Sequence, residues 1–430
     1  RVYRMTADIA LSDVGTRLAD DALPLEILTM RGRLVWENVS NGFEIALQKF
    51  SLKLNNGLDF QPVDFYLRLA KATDTQPASG EVRADSLELL GLFSLASFLP
   101  ISSNFRQQLI DFAPSGQVTK LQAKWSGDFN QLQNLDVQAE FDNLALRRVG
   151  SIPGFSGLSG QINGNEDAGT LTLHSNNLKL NTPQIMPEPL QFDSLTAKAS
   201  WQKNDLGYAI QYENVSIENQ DVTGIISGSY QTLTDSPGEI DLNVNLTRAL
   251  VQHSSRYIPL VALKSAGNAW VKQALLNGQS NDFSLILRGN LKSFPFDEKD
   301  SGLFQIKASA IGAAIKYHPD WPIIDQGVAK LTIQGRRLET FVTTAVTVGG
   351  LLQNVSVVMP DITSANLMLK IRGEAKGKTS HFLDFIQQSP VRGYIDKASD
   401  NISAQGSGKL ILSLDVPLPN QTTNSNSNEL

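Results

Sequence analysis

The chain has no cysteine, only four histidines in 430 residues, and a charged fraction of 19%. Without Cys there are no disulfides, thiolate zinc sites or cysteine nucleophiles, and the compartment is left open. The histidines, His174, His253, His318 and His381, are scattered, and no two lie within one helical turn of each other as a metal pair would. A basic stripe is missing too. The 37 Lys and Arg stand against 43 Asp and Glu, and the net charge of −6 is spread along the chain, which excludes a nucleic-acid binder built on phosphate neutralisation. No apolar run reaches about 18 residues, so no segment reads as a membrane-crossing helix. There is no Gly-x-Ser-x-Gly elbow, and Gly373 to Thr379 lacks the first glycine of a phosphate-binding loop. Ser156 to Gly160 reads as a turn, and Asp297, Glu298 and Asp300 as a solvated acidic turn. These absences together predict no enzyme, no cofactor and no metal.

What the chain does have is alternation. Phe65, Leu67 and Leu69 point one way while Asp64, Tyr66 and Arg68 point the other. The same holds for Phe283, Leu285 and Leu287, for Leu331 and Ile333, for Leu367, Leu369 and Ile371, and for Leu410, Leu412, Leu414 and Val416. Period 2 with one apolar face marks half-buried antiparallel strands. Turn residues such as Asn55-Asn56-Gly57 and Gly349-Gly350 punctuate the runs. Between Leu47 and Phe50 the apolar phase flips, which predicts a bulge that keeps both sets on one face. Three stretches carry helical spacing: Leu87 to Phe112, broken at Pro100; Leu250 to Leu276, broken at Pro259; and Ser380 to Tyr394. They either cover sheet ends or gate an apolar channel.

The chain also repeats itself. Gly116 leads to Trp125-Ser126-Gly127-Asp128-Phe129, and Gly278 leads to Leu287-Arg288-Gly289-Asn290-Leu291. Each unit is several strands and one helical excursion, at a period of roughly 130–165 residues. The expected organisation is a repeat over 1–113, a second over 114–278, a third over 279–395, a strand of a following repeat within 396–416 and a disordered polar tail over 417–430. About twenty strands at ~4.8 Å spacing would extend roughly 100 Å, longer than open sheets normally remain flat. Two architectures fit the pattern: β-sandwiches filled by side chains, or an elongated antiparallel sheet curled into a groove, apolar inside and polar outside. The chain begins at Arg1 without Met or a signal-peptide pattern and reads as a piece of a longer or processed protein.

Particular motifs carry a resemblance. Arg256-Tyr257-Ile258-Pro259, Trp270 to Gly278, and Phe294-Pro295-Phe296 are followed by Tyr317-His318-Pro319-Asp320-Trp321-Pro322 and Gly335-Arg336-Arg337. Leu383-Asp384-Phe385 and Ser389-Pro390-Val391 complete the set, Val391 standing where Leu is usual. The segment resembles the YhdP-type members of the AsmA-like family, most strongly over residues 250–395. The resemblance implies a Gram-negative envelope protein, anchored in the inner membrane outside this segment and extending through the periplasm. It also implies an all-β fold with a few short helices, a repeating β-groove, associated with phospholipid movement to the outer membrane. Phospholipid is then the expected partner, and the inner and outer membranes are reached through regions outside this segment. The in-phase residues Phe65, Leu67, Leu69, Phe283, Leu285, Leu287, Leu331, Ile333, Leu367, Leu369 and Ile371 are the expected lipid lining. The alternative is an envelope-spanning scaffold that conducts nothing.

Overall fold

A computed structural model describes residues 3–18, 23–98, 103–127, 133–260, 265–364, 368–394 and 403–417. Leu367, the break at Pro100, the Asp128-Phe129 pair and the polar tail beyond Pro417 lie outside the described residues. The chain forms two compact units, one of Arg1–Thr182 with Gln191–Tyr212, the other of Pro183–Leu190 with Glu213–Leu430.

In the first unit the strands are β1 (Arg4–Thr16), β2 (Leu25–Val39), β3 (Gly42–Leu54), β4 (Asp59–Ala70), β5 (Ser79–Glu88), β6 (Ser115–Ser126), β7 (Gln133–Leu146), β8 (Gly154–Gly164), β9 (Ala168–Asn181) and β10 (Leu190–Asn204). Strand β11 (Gly207–Glu218) follows. The second unit holds β12 (Val222–Leu233), β13 (Ser236–Leu250), β14 (Leu275–Ser280), β15 (Phe283–Asn290), β16 (Gly302–Ile315), β17 (Ile324–Gln334), β18 (Arg337–Thr347), β19 (Gly350–Met359), β20 (Met368–Lys378) and β21 (Ser407–Pro417). Within each unit successive strands pair antiparallel, as β2 with β3 or β17 with β18; β14 and β15 depart from this, both pairing with β13 on one side and β16 on the other. The all-β fold of repeated hairpin units that the alternation predicts is the fold found. Helices occupy the three helical stretches: α1 (Leu89–Ser94) and α2 (Ser103–Phe112), α3 (Ser265–Ala274), and α4 (Thr379–Gln387) with α5 (Val391–Tyr394). In each unit the helical excursions leave from one end of the strands, after β5 in the first and after β13 and β20 in the second. Among the described residues the opposite end of each unit carries hairpins and loops without an α-helix.

The predicted bulge is present. The β3–β4 register shifts between Leu47 and Phe50, and Lys49 between them has φ 49°. The backbone N–H that the bulge frees is not orphaned, since Lys49 donates to Asp64 Oδ1 at 2.7 Å. The device recurs near the helix-bearing end of other strands. Lys120, Asn143, Gln326 and Asn354 all have positive φ beside a register shift. Each bulge bends its strand and increases its twist. At Lys49 it also brings Phe50, Leu52 and Leu54 onto the face of Leu47.

That face is covered where the helices sit. Leu25, Ile27, Leu52 and Leu54 form a buried cluster, with Leu54 only 2% exposed, and Leu95 and Phe98 of the first excursion pack on it. In the second unit Phe382 of α4 packs on the cluster of Ala345, Leu352, Val355 and Ala375. The first and third excursions therefore cover sheet ends, the first of the two roles that their sequence allowed. On the outward face, neighbouring strands are joined by ion pairs: Arg33 with Asp8, Arg68 with Glu44, Arg288 with Asp241 and Lys409 with Glu374. Such exposed pairs contribute little each, and like charges also meet in register, as Glu37 opposite Glu44 and Lys376 opposite Lys409.

Candidate functional site

Antiparallel partners in register place their side chains on the same face, so the register traces the apolar face strand by strand. In the first unit one row runs Trp36, Ile45, Leu67, Val82, Ala123, Val137 across β2 to β7. Phe65 and Leu69 lie on the same face, opposite Leu47 and Phe43. In the second unit a row runs Val244, Leu285, Ile306, Ile333, Leu338, Met359 across β13 to β19. A parallel row takes Leu331 through Thr340 and Val357 to Ile371. Phe283 and Leu287 flank Leu285 on this face, and Leu369 follows Ile371 in phase. Thus ten of the eleven expected lining residues lie on the apolar faces, three in the first unit and seven in the second. Nine are half-buried, and Leu369 is buried. Eight of them belong to neither of the two clusters beneath the helices, whereas Leu369 is as buried as those clusters and Ile371 packs against the one beneath α4.

Both ends of these faces carry aromatic rings, and the sequence reading did not find that arrangement. At the end away from the helices, Trp125 sits over Gly80, its register partner on β5, where any side chain would collide with the indole. Phe296 covers Gly302 in the same way: a Cβ there would lie 2.6 Å from its ring. Phe296 is 7% exposed and stacks edge-on with Phe294, which in turn lies 5.1 Å from Phe304. The signal was present as Gly and aromatic residues at matching strand positions, but pairing them requires the register. The Gly-Arg-Arg motif meets this corner, since Arg336 pairs with Asp297 and reaches Asp361 at 3.7 Å. Asp297 is thus part of an ion pair, not of a purely solvated turn.

At the helix-bearing end the family-like motifs converge. The Trp270 indole N–H donates to the Tyr317 carbonyl at 3.0 Å; the Tyr317 and Trp321 rings are 5.9 Å apart, and Trp321 is 5.9 Å from Phe385. Burial pushes the Tyr317 phenol well above its ordinary range. Residues separated by more than a hundred positions so form one aromatic cap tying α3 to α4. A shallow hollow lined by Lys330, Thr332, Glu339 and Phe341 lies on the outward side of the sheet, across from Leu331 and Ile333.

One polar cluster stands beside the cap. Asp221, 7% exposed in the β11–β12 turn, has His253 Nδ1 at 2.5 Å, accepts from Arg256 at 2.8 Å and from the Tyr257 hydroxyl at 3.2 Å. Burial pushes Tyr257 up to about 12. Burial also acts to raise Asp221, but the hydrogen bonds from His253 and Arg256 outweigh it and hold the carboxyl below its ordinary 3.8. A depressed folded-state value means that its stabilisation is complete above 3.8 and is lost as pH falls below it. Asp221→Asn is therefore expected to lower the melting temperature at pH 7, with the gap from wild type closing as pH falls below 4. Thermal unfolding followed by circular dichroism from pH 7 to 3 checks this; a gap independent of pH would contradict it.

Among the described residues no group of three metal-ligating side chains occurs, and no helix is long and apolar enough to cross a membrane. No solved structure matches the chain. A 23% identity over 347 residues links it to a protein of Escherichia coli (strain K12) named "Intermembrane phospholipid transporter YhdP". The match covers 78% of this chain but 26% of that protein, so the chain spans about a quarter of the length of its relative. A family model described as "YhdP protein" matches residues 1–430. With the whole length matched, the chain belongs to the YhdP family.

Proposed function

We propose that the apolar faces bind and conduct phospholipid acyl chains, and that the chain is a periplasmic part of a protein moving phospholipid between the inner and outer membranes of a Gram-negative envelope. The observation that carries this reading is the row from Val244 to Met359, six strands wide without one polar side chain. Five of its six members, all but Met359, keep partial exposure, as a surface that receives a ligand requires. An acyl chain laid along it gains about 0.8 kcal/mol per methylene removed from water. No single residue dominates such a site, so no catalytic group is needed. The lining assigned to this task is Phe65, Leu67, Leu69, Phe283, Leu285, Leu287, Leu331, Ile333, Leu369 and Ile371, with Leu367 added from the sequence alternation. Similarity to a protein named as an intermembrane phospholipid transporter supports the same ligand.

Native mass spectrometry of the full-length protein, purified from bacterial envelopes and exchanged out of detergent, tests the reading. Bound phospholipid is expected in the released fraction. Repeated recovery of lipid-free protein would favour the envelope-spanning scaffold instead.

A further inference from the structure

Two cations, Lys272 and Arg256, converge on one carboxylate. Glu188, in the connection between β9 and β10, receives Lys272 of α3 at 2.7 Å and Arg256 at 3.4 Å. Arg256 keeps its stronger contact with buried Asp221, so it stays in place without Glu188. Lys272, 66% exposed, has Glu188 as its ion-pair partner. Three residues before Glu188 stands Ile185, 53% exposed, whose carbonyl accepts from the N–H of Leu260, itself 40% exposed. Two apolar side chains open to solvent thus adjoin two cations that converge on one anion. The apolar face continues from here, because α3 is bound through Trp270 to the aromatic cap that ends in α4, and Phe382 of α4 packs on that face.

We infer that this lip is a headgroup site, where the phosphate of a phospholipid replaces the Glu188 carboxylate between Lys272 and Arg256 while its acyl chains pass Ile185 and Leu260. The inference rests on the lipid reading above and adds to it a polarity: headgroups travel at the helix-bearing end of the strands. The charge complementarity supports a phosphate. A phosphodiester offers one negative charge and two free oxygens, the same charge that Glu188 now presents. Binding is then an exchange of one anion for another, and Glu188 competes with the ligand.

Competition gives a test in which the two partners of one ion pair act with opposite sign. Full-length protein carrying benzoylphenylalanine in place of Leu260 is irradiated with dihexanoyl phosphatidylglycerol or with dihexanoylglycerol, which has the same chains and no phosphate. Adducts are counted by mass spectrometry. The phosphatidylglycerol adduct is expected to exceed the other, to rise about threefold in Glu188→Gln and to fall about threefold in Lys272→Gln, the scale of one exposed charge pair. Both effects shrink as salt is raised.

A purely structural ion pair predicts that both variants move the same way, with melting temperature, and that result would overturn the site. So would equal yields from the two lipids. Loss of the adduct to an equimolar amount of inorganic phosphate would show a free-anion site and overturn the lipid assignment. Benzoylphenylalanine in place of Leu285 separates the two readings. Adducts there with none at position 260 overturn the headgroup site alone. None at either position overturns the conduit as well.

Discussion

Leu285→Asp is expected to stop lipid transfer while leaving the fold standing. Leu285 lies in the middle of β15, with Val244 on one side and Ile306 on the other, both apolar and half-buried. A carboxylate there either loses its hydration as an acyl chain passes or draws water onto the face. An unpaired buried carboxylate costs several kcal/mol unless it is neutralised, and in a one-dimensional path a single barrier of that height reduces flux at least tenfold. Leu331→Asp, between Ala308 and Thr340, makes the same prediction one strand pair further on. The outward control is Ser284→Asp. Ser284 faces Asn245 and Lys307, so the new charge gains a cation and touches no lipid. Thr332→Asp is the weaker control, since Glu339 stands opposite it as well as Lys307. Crosslinking of lipid along the face and outer-membrane function of the full-length protein are the readouts, at matched expression and melting temperature. Equal effects from Leu285→Asp and Ser284→Asp would refute the conduit.

The second large effect concerns stability. Leu54→Ala is expected to destabilise the first unit by about 2–5 kcal/mol, the range for deleting a buried leucine side chain. Leu54 is 2% exposed and shares its cluster with Leu25, Ile27 and Leu52 beneath Leu95 and Phe98. A rigid sheet end cannot collapse readily around the void, which favours the upper part of that range. Leu67→Ala is the comparison. Leu67 is as large but half-buried, outside the cluster beneath Leu95 and Phe98, and the same truncation there costs much less. Urea denaturation of both variants measures the difference. Equal losses would mean that the open face is as tightly packed as the helix-covered end, leaving no room for a ligand.

Physical range decides which features a local stretch of sequence carries. Strand character was readable because side-chain alternation is local: Phe65, Leu67 and Leu69 show their common face within five residues. The bulge at Lys49 was readable for the same reason, since the flip from Leu47 to Phe50 is itself the signal. Helix positions followed from spacing and from breaks such as Pro259. Nothing local, however, states that Trp125 covers Gly80, that Phe296 covers Gly302, or that Trp270, Tyr317, Trp321 and Phe385 form one cap. Those contacts depend on register and on where each excursion returns to the sheet, so they exist only once the strands are paired. The cluster around Asp221 was hidden for a second reason. His253, Arg256 and Lys272 stand more than thirty positions from Asp221 and Glu188, and no local pattern joins them. The sequence alone determined the apolar faces, because burial of alternate side chains is fixed by chain chemistry. Only the tertiary structure decided how the ends of those faces are closed and which charges meet there, because these contacts join residues far apart in the chain, and spacing carries no record of them.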